Sequence, residues 1–379
     1  MNILIDAHVF DGEYQGSRTY IKEIYSKAII QNSHINYYFA ASNVERLKKI
    51  FPQGNNVHYV KLKCKNKYFR LLVEFPVIIK SNKIDYAHFQ YICPIIKNTK
   101  WIVSIHDILF IDNKKYFPVK YRVIRRILFA ISAMRADIIT TISRYSLESI
   151  SKHFNIPSGD IILATCGVGE LYLEARDKAK AKEYVKERYG LEKYIIYVSR
   201  IEPRKNHHSL LTAFLELELD KIGYNIVFVG EESISNDLYN NILNGAQKKR
   251  IESSLVRLSN VSDEELKNLL LATKIAVYPS LAEGFGIPPL ESAVMEVPTI
   301  CSNMTSMEDF QFFGINHIVP SVENIKHAIS AIIDGKQEID YKAIRNKIIN
   351  TYKWEMSSKI LIGALKKNNR NQCNNINNE

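Results

Sequence analysis

Residues 275–296, "IAVYPSLAEGFGIPPLESAVME", decide how the rest of the chain is read. "IAVYP" is an apolar run of strand length, and "PPLESAVME" carries helical spacing with prolines suited to a first turn. Between them lies "LAEGFGI". A strand that passes through a glycine loop into a helix is half of a β-α-β unit, the building block of a parallel sheet. In such sheets ligands bind beyond the carboxyl ends of the strands, where loops enter helix N-termini. Gly284 and Gly286 let the backbone come close to a ligand and aim amide N–H groups at its oxygens, while the positive end of the helix favours negative charge. Carboxylates repel phosphate, so Glu283 and Glu291, eight residues apart, read instead as acceptors for hydroxyl groups. The loop suits a ligand with hydroxyls at both ends and phosphate in the middle.

Working outward, the same alternation recurs. "NILIDA", "NYYFAA", "VHYVKL", "DYAHF", "WIVSIH", "DIITTIS" and "IILA" read as strands in the first half, and "YIIYVS", "NIVFVG", "LVRLS", "IAVYP" and "PTIC" in the second. Amphipathic stretches separate many of them. The chain has 379 residues, more than one core usually holds, so two parallel-sheet domains of roughly 170–190 residues are expected. They join near residues 168–192, where the charged stretch "EARDKAKAKEYVKERYGLEK" reads as a linker helix. The expected division is 1–170 and 171–351, a helix at 352–368 that crosses back to the first domain, and an Asn-rich disordered tail at 369–379.

Composition narrows the class. With 46% hydrophobic and 24% charged residues the chain resembles a soluble globular protein. Cys64, Cys93, Cys166, Cys301 and Cys373 are odd in number and lack metal-ligand spacing, which reads as reduced thiols and excludes a disulfide framework. "MNILIDAHVF" has too short an apolar run for a signal peptide, and no stretch approaches a membrane span, so a cytoplasmic location is expected. The net charge of +11 is uneven: residues 1–150 hold 23 Lys and Arg against 11 Asp and Glu, and the remainder is nearly balanced. A basic half suits an anionic surface or an acidic substrate.

The phosphate in the middle of the ligand calls for cations on a neighbouring loop. "YVSRIEPRKNHHSLL", 197–211, supplies Arg200, Arg204 and Lys205 between a strand and a helix. Arg200 and Lys205 are the expected diphosphate clamp. A basic βα loop that is merely solvated remains the plain alternative.

The order "SRIEPRKN" followed by "VRLSNVSDEELKNLLLATKIAVYPSLAEGFGIPPLESA" resembles the donor-binding half of glycosyltransferase family 4, retaining nucleotide-sugar enzymes of the α/β GT-B fold, in which two Rossmann-like parallel-sheet domains face an interdomain cleft. The likeness is dense from about 194 to 303. It continues thinly in "GSRTYI" (16–21), "VSIHD" (103–107), "ADIITTISRYS" (136–146) and "YKWEMSS" (352–358). The resemblance implies that Glu283 holds hydroxyls of the donor sugar, that Gly284 and the amides of Phe285, Gly286 and Ile287 approach sugar and phosphate, and that Glu291 holds the ribose. It implies that Arg200 and Lys205 grip and stabilise the departing diphosphate, that Gly16 meets the phosphates from the other domain, and that His106 lines the reaction centre. It further implies a nucleotide-sugar donor, a saccharide acceptor, and no metal or other cofactor. Two departures stand out. Gly16 is followed by Ser17 and Arg18 rather than a second glycine, and "SNMTSMEDFQFFGINHIVP" matches loosely, so no contact is transferred there.

Other features admit plainer readings. His207 and His208 read as flanking a helix, "GVGELY" (167–172) lacks the third glycine of a dinucleotide fingerprint, and no D-x-D triplet occurs. "KLKCKNKYFRLLVEF" (61–75) and "NKKYFPVKYRVIRRILFAI" (113–131) interleave cations with apolar residues. Val123, Ile127 and Ala130 share one helical side that Arg122, Arg125 and Arg126 flank, the pattern of a helix lying on an anionic membrane; ordinary core with a solvated rim is the alternative. Such docking would suit a lipid-linked acceptor, and nucleic acid has no role in sugar transfer. An epimerase, a phosphorylase or a noncatalytic sugar-nucleotide binder remain open.

Overall fold

The computed structural model describes residues 1–12, 16–64, 66–231, 245–336 and 338–376. The chain divides into two compact units, Met1–Gly167 with Lys353–Glu379, and Val168–Tyr352.

The first unit is a seven-stranded parallel sheet. Its strands are β1 (Asn2–Asp6), β2 (Asn36–Ala41), β3 (Val57–Lys61), β4 (Tyr86–Gln90), β5 (Lys100–Ser104), β6 (Ile138–Thr141) and β7 (Ile161–Leu163), in the spatial order 3-2-1-4-5-6-7. Burial on both faces explains why these strands read as continuous apolar runs rather than alternating ones. On one face Leu4, Phe75, Phe89, Trp101, Val103 and Phe129 form a core. The other face receives the helix Gly16–Gln31, through the buried Tyr20, Ile21, Ile24 and Tyr25. The helical turns Lys67–Phe69, Arg70–Glu74 and Phe75–Ser81 occupy a segment whose sequence was read only as basic and apolar. The last helix, Trp354–Ile376, belongs to this unit. Glu355 pairs with Lys27 at 2.9 Å, Ser357 Oγ donates to the Thr165 carbonyl, and the helix runs beyond residue 369, further than its polar composition suggests. The Tyr86 hydroxyl donates to Asn368 and Asn369. Gly167 is required where the chain leaves this unit, since a Cβ there would lie 2.5 Å from the Trp354 amide nitrogen.

The second unit is a six-stranded parallel sheet of β8 (Tyr194–Val198), β9 (Asn225–Val229), β10 (Leu255–Leu258), β11 (Ile275–Tyr278), β12 (Thr299–Ser302) and β13 (His317–Ile318), in the order 10-9-8-11-12-13. The stretch read as a linker is the helix Lys178–Tyr189. It packs within this unit by burying Ala181 and Val185 and bringing the Tyr189 hydroxyl to Glu265 at 3.1 Å. Because β8 and β12 both flank β11 in parallel, the loops leaving all three strands emerge side by side at one edge of the sheet.

Candidate functional site

The decisive loop leaves β11 at that edge. Gly286 caps the helix Ile287–Val294 with φ 105°, a left-handed conformation, and prolines occupy the first turn. A Cβ at 286 would also lie 2.8 Å from Met307 Cγ, so both backbone and space require glycine. Phe285 is buried, its ring packed edge-on against Phe310 and Tyr352. The loop is fastened from the β12 side: Ser306 Oγ donates to the carbonyls of Glu283 (2.8 Å) and Phe285 (3.0 Å), and the Glu283 amide donates to Thr305 Oγ1 (2.9 Å). Thr305 and Ser306 stand in "SNMTSMEDF", where sequence comparison transferred nothing. Their hydroxyls, three and four residues beyond a strand, were the available signal.

Charge converges on Glu283 from the loop after β8. Lys205 Nζ donates to Glu283 Oε1 at 2.5 Å, Arg204 Nη1 to Oε2 at 3.2 Å, and Ser280 Oγ to Oε1 at 2.7 Å. Arg204 also donates to the Ala282 carbonyl (2.8 Å) and, through Nε, to Glu202 (2.8 Å). Arg200 stands further out, its Nε 3.7 Å from Glu202 and its side chain 40% exposed, against 12% for Lys205 and 14% for Glu283. The turn Pro203–Lys205 is fixed by the Leu281 amide, which donates to the Arg204 carbonyl at 2.8 Å, and by the Tyr197 hydroxyl, which donates to the Lys205 carbonyl at 2.8 Å. Burial opposes the Glu283 charge, but Lys205 and Arg204 outweigh it and hold the carboxyl down to about 2. Burial pulls Lys205 below its ordinary value despite Glu283.

The alternation Arg200, Glu202, Arg204, Glu283, Lys205 is a continuous chain of charge with one cation in excess. Set beside a helix N-terminus and a glycine loop, it favours an anion. Three accepted hydrogen bonds leave the Glu283 carboxylate about one further acceptor direction for a ligand hydroxyl. Of the sequence-assigned residues, Lys205, Glu283, Gly284, Phe285, Gly286 and Ile287 are thus brought together. Arg204, passed over in favour of Arg200, is the residue that ties the two loops. Glu291 lies partly buried on the helix that Ile287 begins.

In the first unit, His106 follows β5. It is 4% exposed, its ring lies 4.7 Å from Tyr20 and 5.2 Å from Tyr91, and burial lowers its pKa to about 3, keeping the imidazole neutral. Gly16 opens the helix Gly16–Gln31, and a Cβ there would meet nothing within 4 Å. Arg122, Arg125 and Arg126 lie on the helix Val119–Arg135, whose buried side is Phe129, Ser132 and Ala133. Val123 (53%) and Ile127 (56%) are exposed, which corrects the alternative that they are ordinary core; Ala130 alone packs against the core.

Residues 179–351 match the family described as glycosyl transferases group 1. The chain is 26% identical over 245 residues to O-antigen chain mannosyltransferase B of Escherichia coli, covering 64% of this chain and 63% of the relative. It is 31% identical over 179 residues to the serotype-specific mannosyltransferase WbdA of Escherichia coli, 46% of this chain but 22% of that one. The chain therefore spans less than two thirds of the length of both relatives. The crystal structure of Anabaena HepE in complex with UDP-glucose superposes with a TM-score of 0.73 at 14% identity, over 97% of this chain and 99% of that one, a likeness of fold. Two parallel α/β sheets, the charged glycine loop and these matches agree: residues 179–351 match the glycosyl transferases group 1 family, and the chain has the GT-B type of fold.

Proposed function

We propose that this protein transfers a hexose from a nucleotide diphosphate sugar to a saccharide hydroxyl during polysaccharide assembly, with retention at the anomeric carbon and without a metal. The observation that carries the reading is the charge chain that ends in Lys205 and Glu283 beside the amide-rich turn at Gly286. Arg200, the most exposed cation of that chain, and Lys205 would receive the diphosphate and stabilise its negative charge as the glycosidic bond breaks. Glu283 would accept from a hydroxyl of the sugar and Glu291 from the ribose. Gly16 would meet phosphate oxygens through its amide, and His106 would contact the transferred sugar. The mannosyltransferase names of the two relatives and the UDP-glucose bound to HepE support a sugar nucleotide as donor.

The acceptor would be lipid-linked and presented at an anionic membrane. Among the described residues no helix is long and apolar enough to cross a membrane, so contact would be peripheral. The exposed Val123, Ile124 and Ile127 beside Arg122, Arg125 and Arg126 support it. A thermal-shift screen of UDP-, GDP-, ADP- and dTDP-sugars identifies the donor, because selective binding raises the melting temperature by mass action. Glu291→Ala should then weaken binding of the bare nucleoside diphosphate, whereas Glu283→Ala should lose transfer with that affinity nearly intact. Equal losses of product affinity would refute this division of roles. Release of nucleoside diphosphate that requires an acceptor would separate transfer from epimerisation and from mere binding.

A further inference from the structure

At the carboxyl edge of β4 and β5 the first unit carries polar atoms that the fold leaves unsatisfied. The strands are parallel neighbours in the register His88↔Ile102 and Gln90↔Ser104. His88, Gln90, Ser104 and, beyond the strand, His106 alternate onto the face covered by the helix Gly16–Gln31. In the deeper layer every polar group is engaged. His88 Nδ1 hydrogen-bonds the Tyr25 hydroxyl and its Nε2 the Ser104 hydroxyl, both at 2.7 Å, and Ser104 Oγ meets Thr140 Oγ1 at 2.6 Å. The outer layer differs. Gln90 is 6% exposed and His106 4% exposed, yet both carboxamide atoms of Gln90 and Nε2 of His106 have no hydrogen-bond partner among the described residues.

Buried polar groups are nearly always hydrogen-bonded, because an unmet donor or acceptor keeps its desolvation cost. Ser104, directly across from Gln90, is already committed to His88 and Thr140. Three orphan atoms, on the last residue of β4 and on a residue two beyond the end of β5, lie at the sheet edge where ligands bind and therefore have a common explanation. We infer that Gln90 and His106 form a hydroxyl-binding subsite for a saccharide, with Gln90 determining which hydroxyl pattern is accepted. The carboxamide offers one acceptor and two donors, and the imidazole one further donor or acceptor. Neighbouring sugar hydroxyls, each donor and acceptor at once, match that set, whereas a charged group finds no counter-charge in either side chain. The proposal rests on the glycosyltransferase reading and adds to it a residue that the sequence did not single out. The shared chemistry is the sugar hydroxyl, and the two arms of the test distinguish the transferred sugar from the acceptor as its source.

The test is titration calorimetry on the full chain and on Gln90→Leu, with Gln90→Met as a second variant that adapts its shape. One arm uses GDP-mannose against GDP and UDP-glucose against UDP. The other uses methyl α-mannoside and methyl α-glucoside. In at least one arm both variants should bind the saccharide tenfold or more weakly, with nucleoside diphosphate affinity unchanged and the melting temperature unchanged or raised, since an unmet carboxamide has been removed. Loss confined to the sugar nucleotides assigns the subsite to the transferred sugar, and loss confined to the glycosides assigns it to the acceptor. Wild-type affinity for every probe in both variants would overturn the proposal and leave water as the partner of Gln90. So would a lowered melting temperature with parallel loss of nucleoside diphosphate affinity, which would make Gln90 structural. The transferase reading is judged separately, by whether the wild type releases nucleoside diphosphate only with an acceptor.

Discussion

With Lys205 at 2.5 Å and Arg204 at 3.2 Å from its carboxylate, Glu283 balances two cations that burial would otherwise destabilise. Glu283→Gln deprives buried Lys205 of the carboxylate it bonds and removes one of the carboxylates that Arg204 holds, and should lower the unfolding free energy by roughly 3 kcal/mol or more. Arg200→Ala, at an exposed side chain, should stay within about 0.5 kcal/mol of wild type while lowering turnover at least tenfold, since about 1.4 kcal/mol lost at the transition state is tenfold in rate. Denaturant titration beside a rate assay checks both; equal destabilisation by the two variants would contradict the arrangement. The Glu283 pKa is depressed to about 2, so its stabilising contribution is full above the ordinary carboxyl value near 4.5 and disappears as pH falls through 2. The stability gap between wild type and Glu283→Gln should shrink over that window. Glu283 and Lys205 were legible because glycines and acids at fixed spacing have few other uses. Arg204 was not: in "RIEPRKN" two arginines look alike, and only the turn Pro203–Lys205 aims one at the Ala282 carbonyl. Gln90 was hidden for a related reason, as a polar residue ending an apolar strand reads as solvent-facing.

At the scale of elements, the loop after β11 depends on the segment after β12. Ser306 is buried and donates to two loop carbonyls, so Ser306→Ala should cost about 1–3 kcal/mol and weaken sugar-nucleotide binding, although its side chain bonds only to the loop's own carbonyls. Unchanged stability and affinity in that variant would show that the loop holds itself. Three buried histidines make the elements acid-sensitive: burial lowers His88, His106 and His207 each to about 3. Because their folded values lie below the ordinary 6.5, protonation favours the unfolded chain, and stability should fall as pH drops from 6.5 toward 3, by up to about 1.4 kcal/mol per pH unit for each histidine. Melting midpoints between pH 7.5 and 5 should show this, with a flatter slope in His207→Asn; a flat wild-type profile would refute it. The strands were readable because burial on both sides demands unbroken apolar runs. β13, only His317–Ile318, was too short to leave a pattern, and the charged "EARDKAKAKEYVKERYGLEK" misled because its helix buries only Ala181 and Val185.

For the whole molecule, length and the twice-repeated strand-helix alternation were enough to expect two parallel sheets, and the group 1 match and the GT-B likeness agree with them. What composition could not reveal is which apolar residues are left uncovered. In the first unit these include Tyr68, Phe69, Leu72, Val73 and Val77 as well as Val123 and Ile127. A basic unit with such a surface should bind anionic liposomes at about 0.1 M salt. Reversing Arg122, Arg125 and Arg126 to Glu should abolish that binding, at about 1 kcal/mol for each charge near the membrane, without changing sugar-nucleotide affinity; a wild type that stays in the supernatant would point to a soluble acceptor. Sugar transfer driven by a basic clamp can be followed with a labelled hexose carried from its sugar nucleotide onto a saccharide acceptor in the presence of EDTA, for wild type and Lys205→Ala. Transfer should require the acceptor, retain the anomeric configuration, be undiminished by chelation and run at least tenfold slower in Lys205→Ala. An inverted product, transfer abolished by EDTA and restored by Mn²⁺, or a wild-type rate in Lys205→Ala would contradict it.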